Sequence, residues 1–200
     1  AYIKNTLSEQ NIEKAHFIGN SLGAWIIQAF AAKYKEFILT LTLLDGGHYF
    51  LGEIQEHQDE TLLRGVENWE DIKIAVHDFV TSIPNLQAYG YEQFEAYMQN
   101  NYVKLPDGYA HHFNEKHYNE LSKELVTNNY CLKGSSFPIL VLLAGGMNNS
   151  SSVEQAKMYA KLNQHVEIKM IENGFHYLPL TNTKEVYELL KSFLSTKKVH

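Results

Sequence analysis

A single serine stands in the sequence context that a catalytic nucleophile requires. Residues 19–23 read Gly-Asn-Ser-Leu-Gly, and they lie between the apolar run 15–18 and the helix-like run 24–32. This order predicts a strand, a sharp turn and a helix, with the hydroxyl of Ser21 projecting above a sheet. The N–H of Leu22 would then face an oxygen that becomes negative during acyl transfer. The alternative is an ordinary glycine-rich turn between a strand and a helix, because the motif alone is short.

The elements that must position this serine alternate between buried strands and helices. Strands are predicted for residues 15–19, 37–44, 138–144 and 166–171. Helices are predicted for residues 2–11, 22–35, 151–162 and 183–194, with Ser151 or Ser152 as the cap of the third. Strands that alternate with helices predict a parallel sheet.

Residues 48–134 differ from the rest of the chain in composition and in the spacing of apolar residues. This stretch is polar, rich in Tyr and His, and has apolar residues at helical spacing. Pro84 and the sequence Pro-Asp-Gly at 106–108 interrupt the pattern. We therefore expect an insertion of several short helices.

Composition excludes several classes of function. The 200 residues carry a net charge of -6 without a basic block, which argues against a nucleic-acid surface. The one cysteine, Cys131, excludes an internal disulfide framework and favours a reducing, cytoplasmic location. No apolar run is long enough to span a bilayer.

The sequence predicts no metal ion and no cofactor. His111, His112 and His117 have no carboxylate or cysteine partners at ligand spacing, so they are interpreted as surface polar residues. The two glycines at 145 and 146 lack the third glycine of a dinucleotide fingerprint, and no phosphate-binding loop occurs.

With its serine turn, its insertion after the second strand and a histidine in the loop after the last strand, the chain resembles the C-terminal two-thirds of an α/β-hydrolase. The resemblance covers essentially all 200 residues. It implies a three-layer αβα sandwich in which 1–47 and 135–200 form a partial core and 48–134 a helical cap or lid. Nothing corresponds to the family's first four strands, so we expect a chain truncated at its N-terminus. The strand at 15–19 would then present an edge that a partner chain or self-association covers.

The resemblance also implies a base and an acid for Ser21. His176 follows the last strand in the family's order of serine, acid and histidine, although the family usually has Gly-His where this chain has Gly-Phe-His at 174–176. The commonest acid position is occupied by Asn148, which carries no charge. Asn148 follows the predicted strand 138–144. Some members place the acid instead after the strand before it, here 37–44, where Asp45 stands. Asp before two glycines is also an ordinary turn residue, so both assignments stay open.

The resulting functional prediction is a serine hydrolase that acts on an ester, a thioester or a related small-molecule carbonyl substrate. Ser21 would form the acyl-enzyme and His176 would move the proton. Asp45 is the first choice, and Asn148 the second, for the residue that orients the imidazole. The alternative is a catalytically impaired or non-catalytic relative that binds a small ligand or a partner. Asn148 and the missing strands motivate this alternative.

Overall fold

The computed structural model describes residues 2–48, 67–84, 86, 90–112, 120, 135–147 and 150–196. The strands are β1 (Ala15–Asn20), β2 (Ile38–Leu44), β3 (Tyr102–Leu105), β4 (Gly108–His111), β5 (Ile139–Ala144) and β6 (Val166–Ile171). The helices are α1 (Tyr2–Glu9), α2 (Leu22–Lys33), α3 (Trp69–Ser82), α4 (Tyr91–Gln99), α5 (Ser150–Leu162), α6 (Leu178–Thr181) and α7 (Thr183–Thr196). Cys131, His117 and Asn148 lie outside the described residues.

The described residues contain a parallel sheet with the strand order β1-β2-β5-β6. Strand β5 is buried along its whole length, because its uninterrupted apolar sequence is covered on both faces. All three neighbouring pairs are parallel, so the carboxyl ends of the four strands lie at one edge of the sheet. The loops that follow β1, β2 and β6 therefore lie where side chains from distant parts of the sequence can meet.

Two apolar clusters cover the two faces of this sheet. Alternate residues of β2 and β5 point to opposite sides, so Leu43 and Val141 belong to one cluster and Leu44 and Leu142 to the other. The first cluster includes buried residues of α1, α2 and α5. The second includes buried residues of α6 and α7. This arrangement has helices on both faces of a parallel sheet, as predicted from the sequence.

The chain divides into two compact units, one formed by Ala1–Phe50 with Asn129–His200 and the other by Leu51–Asn128. In the second unit, α3 and α4 bury Ile72, Val76 and Phe94. This unit also holds an antiparallel hairpin of β3 and β4, which the expectation of helices alone did not include. The cap function assigned to 48–134 stays a prediction.

The hairpin has a local physical cause. Residues 106 and 107, Pro-Asp, connect the two strands, and Gly108 has a φ of 146°. Proline fixes the φ angle that begins a tight turn, and glycine tolerates the positive φ that ends it. The Pro-Asp-Gly sequence was thus correctly interpreted as a break, but it joins two strands rather than two helices.

Helix ends differ from their predicted positions by a few residues. Helix α5 begins at Ser150, so Ser151 and Ser152 both lie within its first turn and neither caps it. Helix α1 ends at Glu9, and Asn11 has a left-handed φ of 54° that turns the chain toward β1. None of the helices in the described ranges combines the length and the apolar character needed to cross a bilayer.

Candidate active site

Ser21 lies at the tip of the turn between β1 and α2. Its backbone angles, φ 52° and ψ -120°, are unusual for a residue with a side chain. Such a conformation costs on the order of 1–3 kcal/mol and requires surrounding structure to hold it. The Ser21 N–H donates to the carbonyl of Leu44 at 2.9 Å, and the Ser21 carbonyl accepts from the Ala24 N–H at 3.0 Å. The first bond ties the Ser21 turn to the end of β2, and the second ties it to the start of α2.

Close backbone contacts explain two of the glycines around this turn. A Cβ on Gly19 would lie 2.5 Å from the carbonyl carbon of Gly23, and a Cβ on Gly46 would lie 2.8 Å from Cα of Ser21. A Cβ on Gly23 would meet nothing within 4 Å. Of the two glycines in the 19–23 motif, close backbone contacts therefore require only Gly19.

The structure brings His176 and Asp45 to this serine. Ser21 Oγ is 2.8 Å from His176 Nε2, and His176 Nδ1 is 2.7 Å from Asp45 Oδ2. A carboxylate only accepts hydrogen bonds, so Nδ1 carries the proton and Nε2 presents a lone pair to the serine hydroxyl. The side chains of His176 and Asp45 are 33% and 15% exposed. Both side chains are thus partly accessible to solvent.

The carboxylate of Asp45 is oriented by a second contact. Its Oδ1 accepts from the N–H of Ala144 at 3.1 Å, and its own N–H donates to the carbonyl of Leu142 at 2.8 Å. Asp45 has a left-handed φ of 43°. Strand β5 therefore fixes both the backbone and one oxygen of Asp45, and it leaves the other oxygen to His176.

Asn20 joins the loops that carry these residues. Its Nδ2 donates to the carbonyl of Leu44 at 2.9 Å and to the carbonyl of His176 at 3.1 Å. Leu44 directly precedes Asp45, and Asn20 directly precedes Ser21. One amide therefore fixes the spacing between all three loops. This role of Asn20 was not predicted from the sequence, although the motif shows an amide next to the serine.

Leu22 is the first residue of α2, so its N–H has no carbonyl one turn earlier within the helix to accept from it. The amino-terminal end of a helix carries partial positive charge. An anion that forms beside Ser21 would therefore lie near the backbone N–H of Leu22 and the positive end of the helix dipole.

A model of the α/β-hydrolase fold family matches residues 1–183 of the chain. The chain belongs to this family. Among curated proteins, no significant match to the sequence was found.

Solved structures of several hydrolases share the fold. An E-2-(acetamidomethylene)succinate hydrolase is 15% identical, with a TM-score of 0.76 over 96% of this chain and 71% of that chain. The thioesterase domain from the curacin biosynthetic pathway is 18% identical, with a TM-score of 0.69 over 95% and 70%. A meta-cleavage product hydrolase from Pseudomonas fluorescens IP01, complexed with acetates, is 15% identical, with a TM-score of 0.62 over 98% and 70%. At these identities the likeness concerns the α/β-hydrolase fold alone.

Two other positions weighed in the sequence are the alternative acid Asn148 and the histidines near position 111. Asn148, the alternative partner of the histidine, lies outside the described residues, whereas Asp45 makes the contact. His111 lies at the end of the hairpin, where Tyr102 packs edge-on against its ring. Within the described ranges, no group of three or more His, Cys, Asp and Glu side chains could hold a metal ion.

Proposed function

We propose that this α/β-hydrolase is a serine hydrolase that transfers the acyl group of an ester, a thioester or a related carbonyl compound to water. The observation that carries the proposal is the hydrogen-bonded chain from Ser21 through His176 to Asp45. It combines a nucleophile, a base and a carboxylate in the order that activates a hydroxyl.

In the first half of the reaction, Ser21 Oγ attacks the substrate carbonyl carbon. His176 Nε2, 2.8 Å away, takes the serine proton as the new C–O bond forms. The imidazolium that results is stabilised by Asp45 Oδ2, which accepts the Nδ1–H. When the tetrahedral intermediate collapses, the leaving group departs with the proton that His176 returns.

The carbonyl oxygen becomes negative in the tetrahedral intermediate. The Leu22 N–H at the start of α2 supplies one donor for this oxygen, and the helix dipole acts in the same direction. One such donor raises kcat by a factor on the order of 10²–10³. Because the strained turn already holds this N–H in place, no reorganisation is needed when charge develops.

The second half of the reaction repeats the same proton transfers with water. His176 takes a proton from water as the water oxygen attacks the acyl carbon, and it then returns that proton to Ser21 Oγ as the acid product leaves. No metal and no organic cofactor enters either half. The side chains named here are sufficient to balance the protons of both steps.

The names of structural neighbours are consistent with carbonyl chemistry. They include a hydrolase of an acetamidomethylene succinate, a thioesterase domain and a marine microorganism esterase. Those activities belong to those proteins. For this chain they support the general reaction class and leave the individual substrate open.

A fluorophosphonate probe tests the proposal without knowledge of the substrate, because an activated serine displaces fluoride from phosphorus. We expect labelling of the folded chain, mapped to Ser21 by mass spectrometry and abolished in Ser21→Ala. Ser195→Ala, which removes an exposed helix serine whose hydroxyl bonds the carbonyl of Lys191, is the matched control and should label normally. Folded protein that does not react would refute the proposal and favour a non-catalytic binding function.

A further inference from the structure

A buried histidine that the proposed mechanism does not use lies three residues after Asp45. The side chain of His48 is 0% exposed. Its Nδ1 is 3.2 Å from the carbonyl oxygen of Gly46, and its Nε2 is 2.7 Å from Ser152 Oγ in the first turn of α5. His48 therefore connects the turn that carries Asp45 to a helix 104 residues further along the chain.

The partners of His48 determine where its proton lies. A carbonyl oxygen only accepts, so Nδ1 carries the hydrogen that points to Gly46. In a neutral imidazole Nε2 is then an acceptor, and the hydroxyl of Ser152 donates to it. Burial lowers the pKa of His48, against the smaller raising effects of the Gly46 hydrogen bond and the charge of Asp45. The neutral ring thus bridges the carbonyl of Gly46 and the hydroxyl of Ser152.

The turn that His48 contacts is one that the backbone does not favour by itself. Asp45 and Gly47 both have positive φ, 43° and 72°. For a residue with a side chain, as Asp45 has, this region is disfavoured. Hydrogen bonds from outside the turn must therefore hold it.

Two sets of contacts supply this support. In the first set, β5 provides the carbonyl of Leu142 and the N–H of Ala144. In the second set, His48 and Ser152 connect the Gly46 carbonyl to α5. Gly46 also lies directly against the backbone of Ser21. A shift of the Asp45 turn would therefore move both the Asp45 carboxylate and the turn that carries Ser21.

We infer that His48 and Ser152 are positioning residues, which hold the Asp45 turn so that its carboxylate meets His176 and its Gly46 fits against Ser21. This inference rests on the proposed function, since it assigns a consequence for acyl transfer to a buried pair that touches no reacting atom. Supporting groups of this kind keep a site within about 0.5 Å of its productive geometry.

Ser152→Ala tests the inference, because it removes the hydroxyl and leaves the imidazole in place. We expect fluorophosphonate labelling of Ser21 to slow by about 10-fold to 100-fold, which is the effect of a displacement approaching 1 Å. We also expect the low-field proton NMR signal of His176 Nδ1–H to weaken or move, because that signal requires a short bond to the carboxylate. Ser152→Thr keeps the hydroxyl and should restore both properties.

Ser135→Ala is the matched control. Ser135 is also buried, and its hydroxyl accepts from Asn163 Nδ2 at 2.7 Å, so the substitution removes a comparable bond without touching the Asp45 turn. Equal slowing in this control would show a general effect of destabilisation and would overturn the inference. Should Ser152→Ala not fold, Ser152→Cys offers a weak donor of similar shape for the same comparison.

The remaining outcomes separate the two proposals. Wild-type protein that labels at Ser21, with Ser152→Ala labelling within twofold and an unchanged Nδ1–H signal, would overturn the positioning role and leave the proposed function intact. Wild-type protein that is folded but does not label would overturn the proposed function itself, and with it the positioning role.

Discussion

Replacement of Asp45 by Asn is the sharpest test of the proposed site, because the contacts of Asp45 dictate how an amide would sit. Oδ1 accepts the N–H of Ala144, so the amide oxygen must take that position. The amide NH₂ then faces His176 Nδ1, where Oδ2 accepts at 2.7 Å in the native chain. Two donors cannot share this contact, so the imidazole must move its proton to Nε2.

The magnitude follows from that change of tautomer. With the proton on Nε2, His176 cannot accept the hydrogen of Ser21, and the imidazolium that forms during attack loses its carboxylate. The corresponding substitution in a serine protease lowers kcat by about 10⁴. A factor of 10⁴ corresponds to about 5.4 kcal/mol of transition-state free energy. We expect a loss of this order, about 10³–10⁴, for Asp45→Asn.

The assay is the second-order rate of fluorophosphonate labelling at neutral pH, alongside the urea midpoint of unfolding. Asp78→Asn makes the same chemical change at an exposed position of α3 and should label like the wild type. Asn148→Ala, at the alternative acid position, should have little effect. A folded Asp45→Asn protein that labels within tenfold of wild type would refute the reasoning, most clearly if Asn148→Ala were the slower variant.

Three further predictions, which use four substitutions, test how the site is held. Gly19→Ala should lower the free energy of unfolding by about 1–3 kcal/mol, because the new Cβ overpacks the turn. Gly23→Ala places its Cβ in open space, so it should be neutral or stabilising by up to about 1 kcal/mol. Similar urea midpoints for the two variants would contradict the close contact at Gly19. Asn20→Asp removes both N–H donors and should cost about 1–3 kcal/mol and slow labelling; an unchanged rate would argue that the loops need no such bridge. Because burial lowers the pKa of His48 below 6.5, the unfolded chain takes up its proton first, so stability should fall as pH drops below about 6.5. His48→Asn should reduce the pH dependence of the unfolding free energy, measured by urea titration, by up to about 1.4 kcal/mol per pH unit. An identical pH slope in this variant would contradict the lowered pKa of His48.

Much of the fold follows from local patterns. The strand predicted at 166–171 is found over the same residues, and the strand predicted at 37–44 begins one residue later. Uninterrupted apolar segments bounded by glycine, proline and polar turns carry this information, because their short length and their turn residues favour a buried strand over a buried helix. Helix ends were less predictable, since the last turns of a helix depend on tertiary contacts as much as on sequence.

The hairpin of β3 and β4 shows the limit of periodicity. Aromatic and polar residues at 91–98 do form a helix, and the same composition continues into residues that form strands. Short segments of this kind fit both periods, and pairing across the Pro-Asp turn decides between them. The Pro-Asp-Gly signal at 106–108 was sufficient to place the break and insufficient to assign its type.

Sequence by itself predicted the turn that carries Ser21, because an apolar strand, a glycine-flanked serine and an apolar helix are all local features of residues 15–32. It also placed His176 in the loop after the last strand. It could not choose the partner of His176, since Asp45 and Asn148 both follow strands whose carboxyl ends lie at one edge of the sheet. Only the tertiary structure brought Asp45 Oδ2 to 2.7 Å from the imidazole. The reason is that a turn with positive φ, braced by β5 and by His48, aims this carboxylate through contacts between residues about 100 positions apart.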